Sequence, residues 1–407
     1  MNIWLINHYA VPPKYYPLAR TTNFAKYLMQ MGHTVTVFAA SSVHNSDVNL
    51  VTDGVLYREE MVDGIHYVYI RCRGYRGNGK QRIINMFEFP WRLKRVCHRF
   101  SKPDAVLASS ATPPACMAGL KIAKKYRVRA VAEISDLWPL SFVEYGMISE
   151  KNPALIPMYA FEKRMYQCAD AIISTAEGTY DYIVEQNWEK EIPRSKVHYI
   201  NNGVDLELFH YNREHYQIDD ADLKNPDIFK VIYTGSIRKV NNLGLLLDVA
   251  KELKNPNVKF LVWGGGDELP VLKERIKQEN ITNVVFKGPV EKRYVPYIVS
   301  CADLNFAHNT PTPLLRFGIS FNKIFDYLAA GKPILSDFPC PYNPTVQCGA
   351  GWSVDEPTPE NVARTIERLA ALEPREYEAM CRHAEAGAKE YDFKNLTKKL
   401  IDVIEGV

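Results

Sequence analysis

With 407 residues, 46% of them apolar, the chain is long enough for two or three domains with sizeable cores, and its formal charge of only +3 gives no reason to expect nucleic acid as a partner. Its eight cysteines form no C-x-x-C pair and have no nearby His that completes a zinc pattern, so reduced thiols are expected and a zinc site is not. No apolar run approaches a membrane span, which leaves a protein that is soluble or sits on a membrane surface.

The start, MNIWLINHYA, is uncharged and followed by Pro12-Pro13, so it does not read as a signal peptide. Met1 to Tyr9 reads as a buried strand and Ala10 to Leu18 as a Pro- and Tyr-rich loop. A helix from about Ala19 to Met31 follows, stopped by Gly32, and then a strand from Thr34 to Ala40. This βαβ opening lacks G-x-G-x-x-G, which argues against a dinucleotide fingerprint. Asp53 to Arg73 alternates apolar and polar residues around two Asp-Gly pairs and predicts strands joined by hairpins. From Arg71 to Phe100, nine Arg or Lys residues, among them Arg92, Lys94 and Arg95, are interleaved with aromatics. Such a stretch suits either a surface helix on anionic lipid or a domain helix with a solvated basic face, and Pro90 interrupts its periodicity.

Strands are predicted at Asp104 to Ser109 and Arg129 to Ile134, with a helix from Pro114 to Tyr126 between them. The second strand delivers Ser135-Asp136-Leu137-Trp138-Pro139, with Glu133 in need of a partner if buried. A polar pair at the carboxyl end of a parallel strand is where α/β folds place their sites; the alternative role for Asp136 is capping the next turn. Strands at Ala169 to Thr175 and Val197 to Ile200 lead to Asn201-Asn202-Gly203-Val204-Asp205, and the polar run Tyr211 to Asp227 reads as a linker, its Asp220-Ala221-Asp222 solvated.

A second strand–helix series opens with the strand Phe229 to Thr234, the turn Gly235-Ser236-Ile237-Arg238-Lys239 and a helix to Leu253. A Gly turn with adjacent cations ahead of a helix is a plausible diphosphate cradle. Asn257 to Trp263 is a strand ending in Gly264-Gly265-Gly266, and further strands are predicted at Asn283 to Gly288 and Ala302 to Phe306. The stretch FGISFNKIFDYLAAGKPILSD, Phe317 to Asp337, then reads as a Gly loop, a short helix stopped by Gly331, and a strand. Ile324, Phe325, Leu328 and Ala329 make the apolar face of that helix, and Asn322, Lys323 and Asp326 lie on another. Open N–H groups at the helix start together with Lys323 suit a phosphate, and Asp326 suits a diol such as ribose; the alternative is an ordinary αβ unit whose polar residues face water. The tail from Ala386 has helical spacing at Leu396, Leu400 and Ile401.

FDYLAAGKPIL resembles the nucleotide-sugar signature of the GT-B glycosyltransferases of family 4, the retaining hexosyltransferases, and its spelling looks like their capsule, O-antigen and exopolysaccharide branch. In that family two Glu residues flank seven others. Here Asp326 stands at the second acidic position and Gly318 at the first, so the first carboxylate's role falls to backbone N–H groups of Gly318, Ile319 and Ser320, or to another part of the chain. The resemblance also covers NNGVD, the Gly triplet and SDLWP, where Ser135 replaces a usual His and leaves Asp136 as the ionisable residue. It implies two Rossmann-like domains facing a cleft: residues 1–210, completed by a helix at about 388–407 that crosses back, and residues 211–387. It places the diphosphate near Arg238 and Lys239, although the family's cations stand at neighbouring positions. The nucleobase lies at the main chain of Val290, and the donor and acceptor lie against Tyr15, Tyr16 and Arg20. The implied reaction is metal-independent, cofactor-free transfer of a sugar, with retention, from a UDP-sugar (a GDP-sugar less so). The implied acceptor is a polyprenyl-diphosphate-linked saccharide at the cytoplasmic face of the inner membrane. A nucleotide-sugar epimerase of the same architecture and a non-catalytic nucleotide-sugar-binding subunit are the alternatives.

Overall fold

The computed structural model describes residues 1–15 and 20–406, so Tyr16 lies outside the described residues. The chain divides into two compact units, residues 1–201 with 393–407, and residues 202–392.

The first unit is built on an eight-stranded sheet in the order β3-β4-β2-β1-β5-β6-β7-β8. Its strands are β1 (Asn2–Ile6), β2 (Thr34–Ala40), β3 (Tyr57–Val62), β4 (Ile65–Ile70), β5 (Ala105–Ser109), β6 (Arg129–Ile134), β7 (Ala171–Ser174) and β8 (Val197–Tyr199). All pairings are parallel except β3 with β4. That hairpin turns at Asp63 and Gly64, both with positive φ (50° and 78°), the geometry an Asp-Gly pair favours. The central strands are apolar on both faces because helices cover both sides. One covering helix is Arg20–Gln30, whose Phe24 meets Phe393 edge to face at 5.6 Å. Phe393 opens the last helix, Phe393–Glu405, which buries Leu396, Leu400, Val403 and Ile404 in this same core.

The second unit carries a six-stranded, wholly parallel sheet in the order β11-β10-β9-β12-β13-β14. Its strands are β9 (Phe229–Thr234), β10 (Val258–Trp263), β11 (Val284–Gly288), β12 (Leu304–Ala307), β13 (Ile334–Ser336) and β14 (Gly351–Ser353). The order runs outward from β9 in both directions, which makes the carboxyl ends of β9 and β12 the switch point where parallel sheets place ligands.

Three expectations about organisation need correction. The units divide at Asn201 and Asp392 rather than at 210 and about 388. Within the second unit, the segments just beyond those crossings lie side by side, with the Val204 N–H donating to the Tyr391 carbonyl at 3.0 Å. The polar run 211–227 is not a free linker. The helix Leu206–His215 extends into it, and the helix Ala221–Lys224 is capped by Asp220. The Asp220 and Asp222 carboxylates accept from Lys287 Nζ at 2.7 and 2.6 Å, so this acidic pair is bridged by a cation on β11 rather than solvated. Pro90 interrupts the spacing but sits inside an unbroken helix. Lys80–Val96 is continuous, held by buried Phe89, Leu93 and Val96, and by Asn85, whose amide donates to Ser42 Oγ at 2.8 Å and whose carbonyl pairs with His8 Nε2 at 2.6 Å. All eight cysteines are free thiols.

Candidate nucleotide-sugar site

In the second unit, three short segments meet at the switch point. β9 delivers Gly235 with φ 155°, and β10 delivers Gly264 with φ 157°. The two turns interlock: Gly235 N–H donates to the Trp263 carbonyl at 3.0 Å and Ile237 N–H to the Gly265 carbonyl at 2.9 Å. A Cβ on Gly264 would meet the Gly235 oxygen at 1.8 Å, and one on Gly266 would meet the Ile237 oxygen at 2.0 Å. Gly264 and Gly266 are therefore required by backbone contact, a stronger reason than a tight turn alone.

The helix Asn322–Ala329 is the third segment. Its apolar side is buried at Ile324, Phe325, Leu328 and Ala329, as the spacing predicts, and Gly331 follows its end with φ 66°. Tyr327, also buried, fixes it to the sheet: the Thr234 N–H donates to the Tyr327 hydroxyl at 3.0 Å. This brings Lys323 over the Tyr233 ring, 4.3 Å from its centre, and a Cβ on Gly235 would lie 3.4 Å from Lys323 Nζ. The helix start is therefore held against the β9 turn.

The polar groups here are open. Among the described residues, the N–H groups of Asn322 and Lys323 have no hydrogen-bond acceptor and Phe321 provides no side-chain cap. Among the described residues Lys323 Nζ has no carboxylate partner, and neither do Arg238 and Lys239, which are exposed on the turn that follows Gly235. Asp326 is half-buried, and its carboxylate accepts no hydrogen bond from a described residue. Desolvation raises that carboxyl above the usual carboxylate range, while Lys292 pulls the other way. The main-chain groups of Val290, two residues beyond β11, likewise form no hydrogen bond among the described residues. Open N–H groups, three unpaired cations, one unpaired carboxylate and a free main-chain edge can together accept a diphosphate, a diol and a base.

The Gly318 loop is less open than expected. Gly318 has φ 114°, and its N–H is already donated to the Leu315 carbonyl at 3.1 Å, so it is not available to a donor sugar. Ile319 is buried, and Ser320 turns its hydroxyl inward, where Oγ has no partner. The Ser320 carbonyl accepts from Asn202 Nδ2 at 3.2 Å, which ties this loop to the NNGVD segment.

In the first unit, Asp136 follows β6, exposed and without a hydrogen-bond partner among the described residues. It does not cap the next helix, whose first turn has no side-chain cap. Dense surroundings raise its carboxyl above the usual range by desolvation, but water reaches it, which limits that effect. Tyr15 lies half-buried beside Lys14, whose ammonium sits 4.8 Å from its ring centre. Arg20 is held by internal partners. Its guanidinium pairs with buried Glu133 at 2.8 Å and donates to the Ile200 carbonyl at 2.8 Å, so it supplies the partner that Glu133 requires. Arg92 also turns away from solvent, pairing with Glu88 at 2.5 Å; Lys94 and Arg95 remain exposed, with Arg95 stacked 3.6 Å over Trp91. Ile83, Ile84, Phe87 and Trp91 are exposed on the same helix and line an open groove of about 700 Å³ that includes Met117 and Phe161. Among the described residues, no helix is long and apolar enough to cross a membrane, and no group of three or more His, Cys, Asp or Glu could hold a metal ion.

Sequence reasoning missed a buried pair at the switch point. His308, just after β12, bonds through Nδ1 to Asp337, just after β13, and through Nε2 to the Asn241 carbonyl at 2.6 Å. These residues are far apart in the chain and match no local motif; a His and an Asp directly after two strands were the available signal.

Residues 19–208 match the model described as Glycosyltransferase Family 4, and residues 217–389 match Glycosyl transferases group 1. A Bacillus subtilis (strain 168) protein described as a teichuronic acid biosynthesis glycosyltransferase, TuaH, is 27% identical over 210 residues, 51% of this chain. The match spans 50% of that relative's length. Among solved structures, sucrose-phosphate synthase from Thermosynechococcus elongatus aligns with TM-score 0.70 at 15% identity, covering 100% of this chain and 98% of that one. Anabaena HepE, solved in complex with UDP, aligns with TM-score 0.66 at 12% identity over 100% of both chains. At such identities the structures establish a shared fold.

Proposed function

From the premise that this chain belongs to the GT-B glycosyltransferases of family 4, we propose that it transfers a sugar from a UDP-sugar, with retention, to a lipid-linked saccharide in surface polysaccharide assembly. The observation that carries the donor half is the start of the helix Asn322–Ala329, where unpaired Lys323 lies against the Gly235 turn and unpaired Asp326 follows three residues later. The diphosphate lies on the open N–H groups with Lys323, Arg238 and Lys239 around it, the ribose diol on Asp326, and the base against the main chain of Val290. As the glycosidic bond breaks, negative charge grows on the leaving diphosphate. Fixed cations and helix N–H groups stabilise that charge without reorganising, which is the work a metal ion does in other transferases. Asp136 is the ionisable group proposed near the sugar. HepE, solved with UDP and with UDP-glucose, supports UDP as the nucleotide, and TuaH supports a surface polymer as the product.

A lipid-borne acceptor has to be met at a membrane surface. The exposed Ile83, Phe87 and Trp91, with Lys94 and Arg95 beside them, make the face suited to anionic headgroups.

Incubating the purified chain with UDP-sugars, with and without a polyprenyl-diphosphate-linked acceptor and with EDTA, tests this reading. Acceptor-dependent UDP release that survives EDTA is expected. An altered nucleotide sugar without UDP release indicates an epimerase, and binding without turnover indicates a non-catalytic subunit.

A further inference from the structure

We propose that His308 and Asp337 are a positioning pair, acting through Asn241, that fixes the turn carrying Arg238 and Lys239. The proposal rests on the reading of that turn as part of the diphosphate site. The imidazole of His308 is wholly inaccessible and Asp337 is 5% exposed, so water cannot replace either partner. Nε2 faces the Asn241 carbonyl and Nδ1 faces an Asp337 carboxyl oxygen. A carbonyl only accepts, and an ionised carboxylate only accepts. Both bonds therefore form only when the pair holds one proton beyond that of a neutral imidazole, as imidazolium with carboxylate or as imidazole with carboxylic acid. The second Asp337 oxygen accepts from the Asn309 N–H at 3.3 Å, which fixes the carboxyl from the other side.

The link continues upward. Asn241 donates from Nδ2 to the Ser236 carbonyl at 2.7 Å and to Ser236 Oγ at 2.9 Å. The same carbonyl accepts from the Tyr233 hydroxyl at 3.1 Å, and the Asn241 N–H closes onto the Arg238 carbonyl at 2.8 Å. Ser236 to Asn241 is thus a closed ring of bonds, and His308 is its tether to the ends of β12 and β13. Arg238 and Lys239 are exposed and have no side-chain partner among the described residues, so the backbone that carries them sets where their charges lie. Cations held in advance over the diphosphate lose less on binding than cations on a loose turn.

The test is calorimetric titration of UDP and of uridine into the full chain, for wild type, His308→Gln, His308→Ala, Asp337→Ala, the double variant His308→Gln/Asp337→Asn, and Arg238→Ala. Single changes at His308 or Asp337 are expected to weaken UDP by about tenfold while uridine affinity stays within about twofold. The double variant, in which two amides can again pair, recovers part of the loss. Equal loss for UDP and uridine, or no recovery, makes the pair merely structural and overturns the proposal. If Arg238→Ala lowers the UDP-to-uridine ratio and the His308 and Asp337 variants do not, the site reading stands and the positioning role is wrong. If Arg238→Ala also leaves the ratio unchanged, the turn does not serve the diphosphate and both fall.

Discussion

Lys323 and Asp326 stand three residues apart on one helix, a spacing at which opposite charges usually pair, yet no ion pair joins them. Lys323 lies over the Tyr233 ring instead, and Asp326 is left half-buried without a donor among the described residues. Two unpaired charges of opposite sign on one turn are what a ligand with a diphosphate at one end and a diol at the other requires. Replacing Asp326 by Ala should therefore lower UDP affinity more than tenfold, since each hydrogen bond to a charged group contributes about 1.5–3 kcal/mol. Calorimetry on a variant of unchanged melting temperature checks this, and unaltered affinity removes Asp326 from the site.

Glu162 is the opposite case, a buried carboxyl with structural work to do. It accepts from Tyr166 at 2.7 Å and from Tyr182. Burial pushes it up to about 8, against the pull of those two phenols. Between the ordinary value of 4.5 and about 8, the unfolded chain has released a proton that the folded chain keeps. Stability contributed by this group is therefore full at low pH and falls, by about 1.4 kcal/mol per pH unit, as pH rises through that window. Glu162→Gln does not titrate, so its melting temperature should gain on wild type from pH 5 to pH 8. Parallel curves would contradict the assignment.

Elements with local punctuation could be read from the sequence. The helix Asn322–Ala329 has an apolar face of four residues and a Gly-Lys-Pro stop, and the β3–β4 hairpin has its Asp-Gly turn. Partnerships between distant segments could not. Arg20 and Glu133, Lys287 with Asp220 and Asp222, and His308 with Asp337 join elements through space, and each re-sorts a residue that its own neighbourhood made ambiguous. The helix Lys80–Val96 shows the same limit. Its cations look alike in sequence, but Arg92 is spent on Glu88 while Lys94 and Arg95 remain on the surface. Each Lys or Arg near an anionic membrane contributes about 1 kcal/mol. Lys94→Glu/Arg95→Glu should accordingly abolish sedimentation with anionic liposomes at low salt, with neutral liposomes pelleting neither protein. A charge-reversed protein that still pellets would show that another surface meets the membrane.

Across the whole molecule, each of the two units carries the parallel sheet that its half of the sequence predicts. The last helix returns to complete the core of the first unit through Phe393, Leu396 and Leu400. The features proposed to hold the nucleotide belong to the second unit: the Gly235 turn, the Gly triplet, Lys323 and Asp326. The functional reading depends on that unit recognising a nucleoside diphosphate by its phosphates as well as by its base. Calorimetric titration of UDP and uridine into the wild-type chain and into Lys323→Ala decides the matter. The wild type should bind UDP at least about tenfold more tightly than uridine, and Lys323→Ala should shrink that ratio while leaving uridine unchanged. Equal affinities for UDP and uridine in the wild type, or a ratio indifferent to Lys323, would contradict the assignment of a nucleotide-sugar site to this turn and helix.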